Sequence, residues 1–381
     1  MTLAAAERLD DVALLETADP SSMLRQVASS AAQVREAARS AAEASLGELT
    51  AGGRPRAIVV TGMGGSGIAG EVLAAVAGPG CPVQVTTVHD YRLPGWVGAA
   101  DLVIAVSCSG ATEETLSATA EAVRRGCRLL GVGGRGSPLA DMAEQAHAPF
   151  IGVKPLGMPR SMLWGLSVPL VVAAARLGVL DMPEDAYESA AAELERVAHL
   201  CRPDSEAFVN PAKTLALDLS GTLPMIWGTS PLTGVAAARF ACQLHENGKY
   251  LAIAGVLPEA NHNQVVTFDG PFAAGPEAAG PEAAGPEPAG PAGVPPVPLR
   301  LILLRDTHEH PQVARRREES ARIAADRGIE VTELAASGDL PLERLASLVT
   351  LIDYASVYLA IANGIDPAPI AAIQELKARI A

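Results

Sequence analysis

The segment from Asp101 to Leu116, Asp-Leu-Val-Ile-Ala-Val-Ser-Cys-Ser-Gly-Ala-Thr-Glu-Glu-Thr-Leu, restricts the fold more than any other part of the chain. Leu102 to Val106 is wholly apolar, which predicts a strand buried on both faces, as in a parallel sheet. It passes into Ser107, Ser109, Gly110 and Thr112 and then into a helical stretch, Glu113 to Arg125. A strand that stops in hydroxyls and glycine at a helix N-terminus offers unpaired N–H groups, a partial positive charge and side-chain donors on one side. A phosphate group fits that description. The competing interpretation is a plain cap, with Thr112 or Ser109 bonding the first turn and Glu113 and Glu114 behind it. Three hydroxyls within six residues are more than one cap needs.

The same rhythm recurs along the chain. Ala57 to Thr61 reads as a buried strand, Gly62 to Gly67 as a tight glycine-rich turn, and Ile68 to Ala77 as a helix. Val83 to Val88, Arg128 to Val132 and Phe150 to Val153 read as further strands. Pro159-Arg160-Ser161 then opens an apolar helix, Met162 to Leu177. After an amphipathic helix over 184–200, Leu223 to Gly228 repeats the strand, Gly228 to Gly234 the turn, and Val235 to Lys249 the helix. Val265 to Phe268, Leu299 to Leu304 and Glu330 to Glu333 are the remaining strands expected. Alternating strand and helix predicts an α/β fold of two similar subdomains, each a mostly parallel sheet flanked by helices. The expected layout is N-terminal helices over 1–50 (the second from about Ser22 to Gly47), a first subdomain over 51–180 and a helical connector over 181–212. A second subdomain follows over 213–361, then a C-terminal helix over 362–381. Within the second subdomain, Ala-Ala-Gly-Pro-Glu occurs three times in succession from Ala273. Such a stretch cannot build a core, so 273–298 is expected to be a disordered surface insert.

Charge narrows the partners. The net charge is −14 and aromatic residues are 3%, which disfavours nucleic acid and anionic membranes and leaves few platforms for base stacking. A phosphorylated ligand then needs a local site built against the global field. The five cysteines have no CxxC spacing, which suits reduced thiols in a cytoplasm and gives no zinc signature. The N-terminus lacks a basic flank and a long apolar run. Leu166 to Ala175, read as the longest apolar stretch, is too short to span a bilayer.

Gly62-x-Gly64-x-x-Gly67 satisfies the dinucleotide fingerprint, and Asp90 lies where a ribose contact would be expected, so a nicotinamide dehydrogenase is a rival. A second hydroxyl cradle at Ser107–Thr112, and a second half of the same style, favour a single phosphorylated sugar. Polar and ionisable residues are dense in Arg239 to Val266. Glu246 and His262 there form a natural acid/base pair: a carboxylate can take a proton from carbon beside a carbonyl, and a histidine can open a sugar ring. The alternative is that Glu246 and Lys249 are an exposed i,i+3 pair and His262 a loop residue. Arg160 and Lys377 read either as substrate contacts or as solvated cations.

Gly62-Met63-Gly64-Gly65-Ser66-Gly67-Ile68-Ala69-Gly70, Ser107-Cys108-Ser109-Gly110-Ala111-Thr112-Glu113-Glu114-Thr115, Glu246-Asn247-Gly248-Lys249 and Pro258-Glu259-Ala260-Asn261-His262-Asn263 together resemble the bifunctional phosphoglucose/phosphomannose isomerase family. That family is built from two sugar-isomerase (SIS) domains, and the resemblance runs from about Arg56 to Lys377. It implies an aldose–ketose isomerase acting on glucose 6-phosphate, mannose 6-phosphate or both, without metal or cofactor. By the resemblance, Gly65 and Ser66 line the sugar-phosphate site, and Ser107, Ser109 and Thr112 hold the phosphate. Arg160 steadies an enediolate and Glu246 shuttles the proton. His262 opens the ring from the other subunit of a homodimer, and Lys377 approaches the sugar. The family often has Tyr, Asn and Glu where Cys108, Ala111 and Gln264 stand. A non-catalytic sugar-phosphate sensor is the other function that SIS domains allow.

Overall fold

The computed structural model describes residues 3–273 and 297–380. The low-complexity stretch predicted over 273–298 falls almost wholly outside the described residues. The chain divides into two compact units, one made of Arg25–Glu195 with Asp339–Ala346, the other of Met1–Leu24, Arg196–Gly338 and Ser347–Ala381.

The first unit carries a five-stranded sheet: β1 (Ala57–Thr61), β2 (Gln84–Val88), β3 (Leu102–Ser107), β4 (Arg128–Gly134) and β5 (Phe150–Val153), in the order β2-β1-β3-β4-β5. Every pairing is parallel. β1 and β3 are buried at every position, which is why both sequences are apolar runs up to a final hydroxyl residue, Thr61 or Ser107, rather than alternating ones. Val59, Val103, Ala105 and Leu129 face Ala118, Ala122 and Leu139 of the helices Glu113–Arg124 and Pro138–Gln145. Helix Ile68–Ala77 packs against β1 and β2; a Cβ on Gly70 would lie 2.7 Å from Val60 Cβ, so that glycine sets the close approach.

The second unit repeats the plan with four parallel strands, β6 (Leu223–Gly228), β7 (Ile253–Val256), β8 (Leu299–Arg305) and β9 (Glu330–Ala335), ordered β7-β6-β8-β9. One face is covered by helix Pro231–Gln243: a Cβ on Gly234 would lie 2.7 Å from Val256 Cγ2. The opposite face holds Met225, Trp227, Leu301 and Leu303 against Leu257, Ala260, Phe268 and Ala324.

Three expected elements need correction. The expected strand Val265–Phe268 is part of a 3-10 helix, Gln264–Asp269. Phe268 is drawn inward by stacking on Trp227 at 5.5 Å while Val266 stays exposed, so the segment has no partner strand to pair with. The strand that does flank β6 is β7, a half-exposed edge of four residues that includes Gly255. The expected helix to Lys249 is α-helical only to Gln243 and ends in a π turn, Leu244–Gly248. The expected second N-terminal helix from Ser22 to Gly47 is broken into Met23–Ala28 and Ser30–Glu43. There Ser29 and Ser30 return their hydroxyls to the carbonyls of Gln26 and Val27, a local bond that competes with helix continuation.

A longer apolar helix than Leu166–Ala175 also exists. Pro341–Ala362 is long and apolar enough to cross a membrane by length and composition, yet 94% of its most apolar window is buried inside the protein.

Candidate active site

A sheet ordered β2-β1-β3 reverses its winding between β1 and β3, and ligands of such sheets lie beyond the strand ends at that crevice. The loops that flank it are 62–67 and 107–112, the two turns singled out in the sequence. They are joined directly: Cys108 N–H donates to Ser66 Oγ at 3.1 Å. Glycine is needed at the seam, because a Cβ on Gly62 would lie 2.9 Å from the Val106 carbonyl oxygen.

The hydroxyls of the second turn converge. Ser107 Oγ lies 2.9 Å from Thr112 Oγ1 and 3.5 Å from Ser109 Oγ, and accepts from Gly110 N–H at 3.0 Å. Thr112 stands at the N-cap of Glu113–Arg124 but makes no side-chain cap bond. Ser109 Oγ accepts from Ala111 N–H instead. Neither hydroxyl therefore caps the helix, whose N-terminal N–H groups are not closed by Thr112 or Ser109. Burial pushes the Cys108 thiol up from its ordinary range, so it stays protonated and brings no charge to repel an anion.

Gly110 shapes this cradle from beneath. Its φ is +68°, and a Cβ there would lie 1.9 Å from Ser137 Oγ, which caps helix Pro138–Gln145 and donates to the Gly134 carbonyl at 2.7 Å. Gly110→Ala is expected to cost roughly 2–4 kcal/mol through left-handed strain plus overpacking, and to abolish phosphate-induced thermal stabilisation. Urea unfolding with and without phosphate checks both; an alanine variant equal to the parent in both would refute this account of the cradle.

Arg160 sits at the rim of the glycine turn. A Cβ on Gly65 would lie 2.8 Å from the Pro159 carbonyl oxygen and 3.3 Å from Arg160 Cα, so glycine at 65 allows the two loops to touch. The short turn Pro159–Ser161 is fixed by two glutamines the sequence reading passed over. Gln26 Oε1 accepts from Met158 N–H at 2.7 Å and from Ser161 Oγ at 3.1 Å. Gln33, 1% exposed, donates to the Ser161 carbonyl at 2.8 Å. Arg160 itself is buried. Gly65, Ser66, Ser107, Ser109, Thr112 and Arg160 are thus all on loops of the carboxyl edge of one sheet. Asp90, considered as a ribose contact, accepts from Arg92 N–H within its own turn.

The equivalent crevice of the second unit, between β6 and β8, is filled by the chain itself. Ser230 Oγ donates to Asp306 Oδ2 at 2.6 Å, and Asp306 N–H donates to Thr229 Oγ1 at 2.9 Å. Ser230 and Thr233 complete a reciprocal capping box at the start of Pro231–Gln243. A buried carboxylate stands where an anion would bind, so the two halves share a fold but not a ligand site.

The rest of the second unit supplies ionisable groups. Glu246, half-buried, lies in the π turn that ends Pro231–Gln243. Such turns recur at functional positions because they re-aim a side chain. Towards the core, Asn247 Nδ2 donates to Ser356 Oγ at 2.9 Å. One helical turn earlier, Gln243 and Arg239 bind the buried Asp353 carboxylate, with Arg239 bidentate at 2.9 and 2.5 Å. Lys249 is exposed, and its ammonium reaches main-chain carbonyls, including that of Glu246 three residues earlier at 2.9 Å.

His262 is exposed at the end of the turn Glu259–His262. Its neighbour Asn261 donates to Ser320 Oγ at 2.7 Å, and Gln264 accepts from the Trp227 indole at 2.5 Å while donating to the Ala254 carbonyl. An amide at 264 does both jobs, where a carboxylate could only accept. Trp227, Phe268 and Ala324 put this segment on the sheet face opposite to helix Pro231–Gln243. The turn that carries His262 and the helix that leads into Glu246 therefore pack on opposite faces of the sheet. Lys377 lies on helix Ala371–Ile380, which buries none of its residues.

Two doubly wound parallel sheets, one with a hydroxyl-lined crevice and the other with its crevice closed, define a double SIS-domain protein. Residues 208–380 match the bacterial phospho-glucose isomerase C-terminal SIS domain. The chain belongs to the bifunctional phosphoglucose/phosphomannose isomerase family. It is 32% identical over 324 residues to the Caldicellulosiruptor bescii member, covering 85% of this chain and 89% of that one. To the Aquifex aeolicus member it is 30% identical over 323 residues, covering 84% and 89%. Among solved structures, a hypothetical protein of Thermus thermophilus shares the fold with a TM-score of 0.67 at 17% identity, covering 99% of this chain and 93% of that one.

Proposed function

We propose that the protein interconverts glucose 6-phosphate, mannose 6-phosphate or both with fructose 6-phosphate through a cis-enediol(ate). The phosphate rests in the crevice of the first unit, on Ser66, Ser107, Ser109, Thr112 and the helix N-terminus behind them, with Gly65 giving the sugar room. His262 moves a proton between the ring oxygen and the C1 hydroxyl to open the ring. Glu246 takes the C2 proton while the carbonyl oxygen at C1 gains one, and returns it to C1 as the C2 hydroxyl gives up its own. Arg160 offsets negative charge as it develops on the two oxygens, a fixed electrostatic contribution of the kind that usually dominates. Lys377 contacts the sugar. The observation that carries the phosphate end is the Ser107–Thr112 hydroxyl pair standing in place of a helix cap.

The working unit in this reading is a homodimer with His262 supplied by the second subunit, supported by the packing of the His262 turn and the Glu246 helix on opposite faces of one sheet. A cytoplasmic setting goes with five cysteines among which no disulfide forms. An assay with EDTA present, offering glucose 6-phosphate and mannose 6-phosphate separately and following fructose 6-phosphate, is the test. Turnover of at least one, insensitive to EDTA, is expected. Heat stabilisation by sugar phosphate with turnover of neither would replace the isomerase with a sensor.

A further inference from the structure

We propose that Lys249 is a positioning residue that locks the Glu246 turn to the root of the Lys377 helix. The inference rests on the reading of Glu246 as the proton carrier. Lys249 has φ 50° and ψ 38°, the left-handed region where glycine sits without cost and a lysine does not. A lysine stands there, and its side chain has a specific use. The ammonium lies 2.9 Å from the Glu246 carbonyl oxygen, 3.3 Å from that of Asn247, and 3.1 Å from those of Asp366 and Pro367. The ammonium thus reaches two carbonyls on each side of a clamp.

The two sides need it for different reasons. Glu246 and Asn247 are among the last residues of a helix, whose carbonyls lack intrahelical donors and favour a cation. Asp366 and Pro367 lead into Ala371–Ile380, which buries nothing of its own, so that helix is seated by its root, where Pro367 and Ala368 are buried. One ammonium therefore sets both the direction of the Glu246 turn and the origin of the helix carrying Lys377. A lost clamp displaces these groups from the sugar without touching the phosphate crevice, which belongs to the other unit.

Lys249→Met is expected to lower kcat about 10- to 100-fold, the scale of a misplacement of about an ångström, with KM changed less than about 3-fold. Lys249→Arg should recover part of the rate. Amide exchange over 366–377 should be faster in Lys249→Met than in the parent. Lys249→Gln, which keeps two N–H donors, takes the place of methionine if that variant does not fold, with an intermediate loss expected. A lysine that merely stabilised the fold would lower Tm and leave kcat of the folded protein intact. Wild-type kcat in Lys249→Met, beside an inactive Glu246→Gln, overturns the proposal while the reading of Glu246 stands. Full activity in Glu246→Gln overturns that reading instead, and unchanged exchange over 366–377 would then refute the clamp as well.

Discussion

Glu246→Gln is expected to lower kcat by about 10²- to 10⁴-fold, the range of a positioned general base, while sugar-phosphate affinity stays near that of the parent. The substitution changes one atom and leaves the packing of the half-buried side chain in its π turn nearly as it was. An amide cannot take a proton from C2 at any useful rate, so the enediol does not form. Binding survives because the phosphate contacts are elsewhere: the hydroxyls of Ser107, Ser109 and Thr112 and the loop junction from Ser66 to Cys108 are held by their own first-unit hydrogen bonds. Steady-state rates and isothermal titration with fructose 6-phosphate separate the two effects. A further readout is exchange of the C2 hydrogen of glucose 6-phosphate with solvent, which should cease in the variant. Equal losses of affinity and rate would mean that Glu246 holds the substrate rather than moving its proton.

What the sequence made legible follows from burial. Ala57–Thr61, Phe150–Val153, Leu223–Gly228 and helix Ile68–Ala77 lie where the sequence placed them, because runs buried on both faces end sharply in glycine, proline or hydroxyls. Edges were harder. β7 is four residues long, half in water and carries a glycine, so its apolar run Leu251–Leu257 is not marked as a strand, whereas the β-branched Val265–Phe268 reads as a strand but coils inward around Phe268. Long-range pairings were invisible. Nothing near Ser230 in sequence announces that Asp306, 76 positions away, closes its crevice, and so the two halves look more alike on paper than in three dimensions. Lys249 illustrates the same limit. Asn247-Gly248 is a legible helix stop, but the use of the following lysine depends on carbonyls 117 and 118 positions later.

Mixing two inactive variants should restore activity. Glu246→Gln and His262→Ala are each expected to be nearly inactive as homodimers. Random reassortment makes half the dimers mixed, and each mixed dimer has one site with both groups intact and one with neither, so recovery should approach about a quarter of the parent activity. The expectation follows from the second sheet. Helix Pro231–Gln243 lies on the face where Gly234 meets Val256, and it delivers Glu246 from that side. His262 follows a strand and turn whose residues Leu257 and Ala260 belong to the core of the other face, with Trp227 and Phe268. Elements packed on opposite faces support the proposal that the histidine serving Glu246 is supplied by a second copy. Co-refolding the variants, with sedimentation to confirm dimers, followed by the fructose 6-phosphate assay, provides the measurement. If both groups served the same site from one chain, every site would contain a lesion and the mixture would stay as inactive as its parts. That result would remove the second subunit from the site and force a different residue into the ring-opening role.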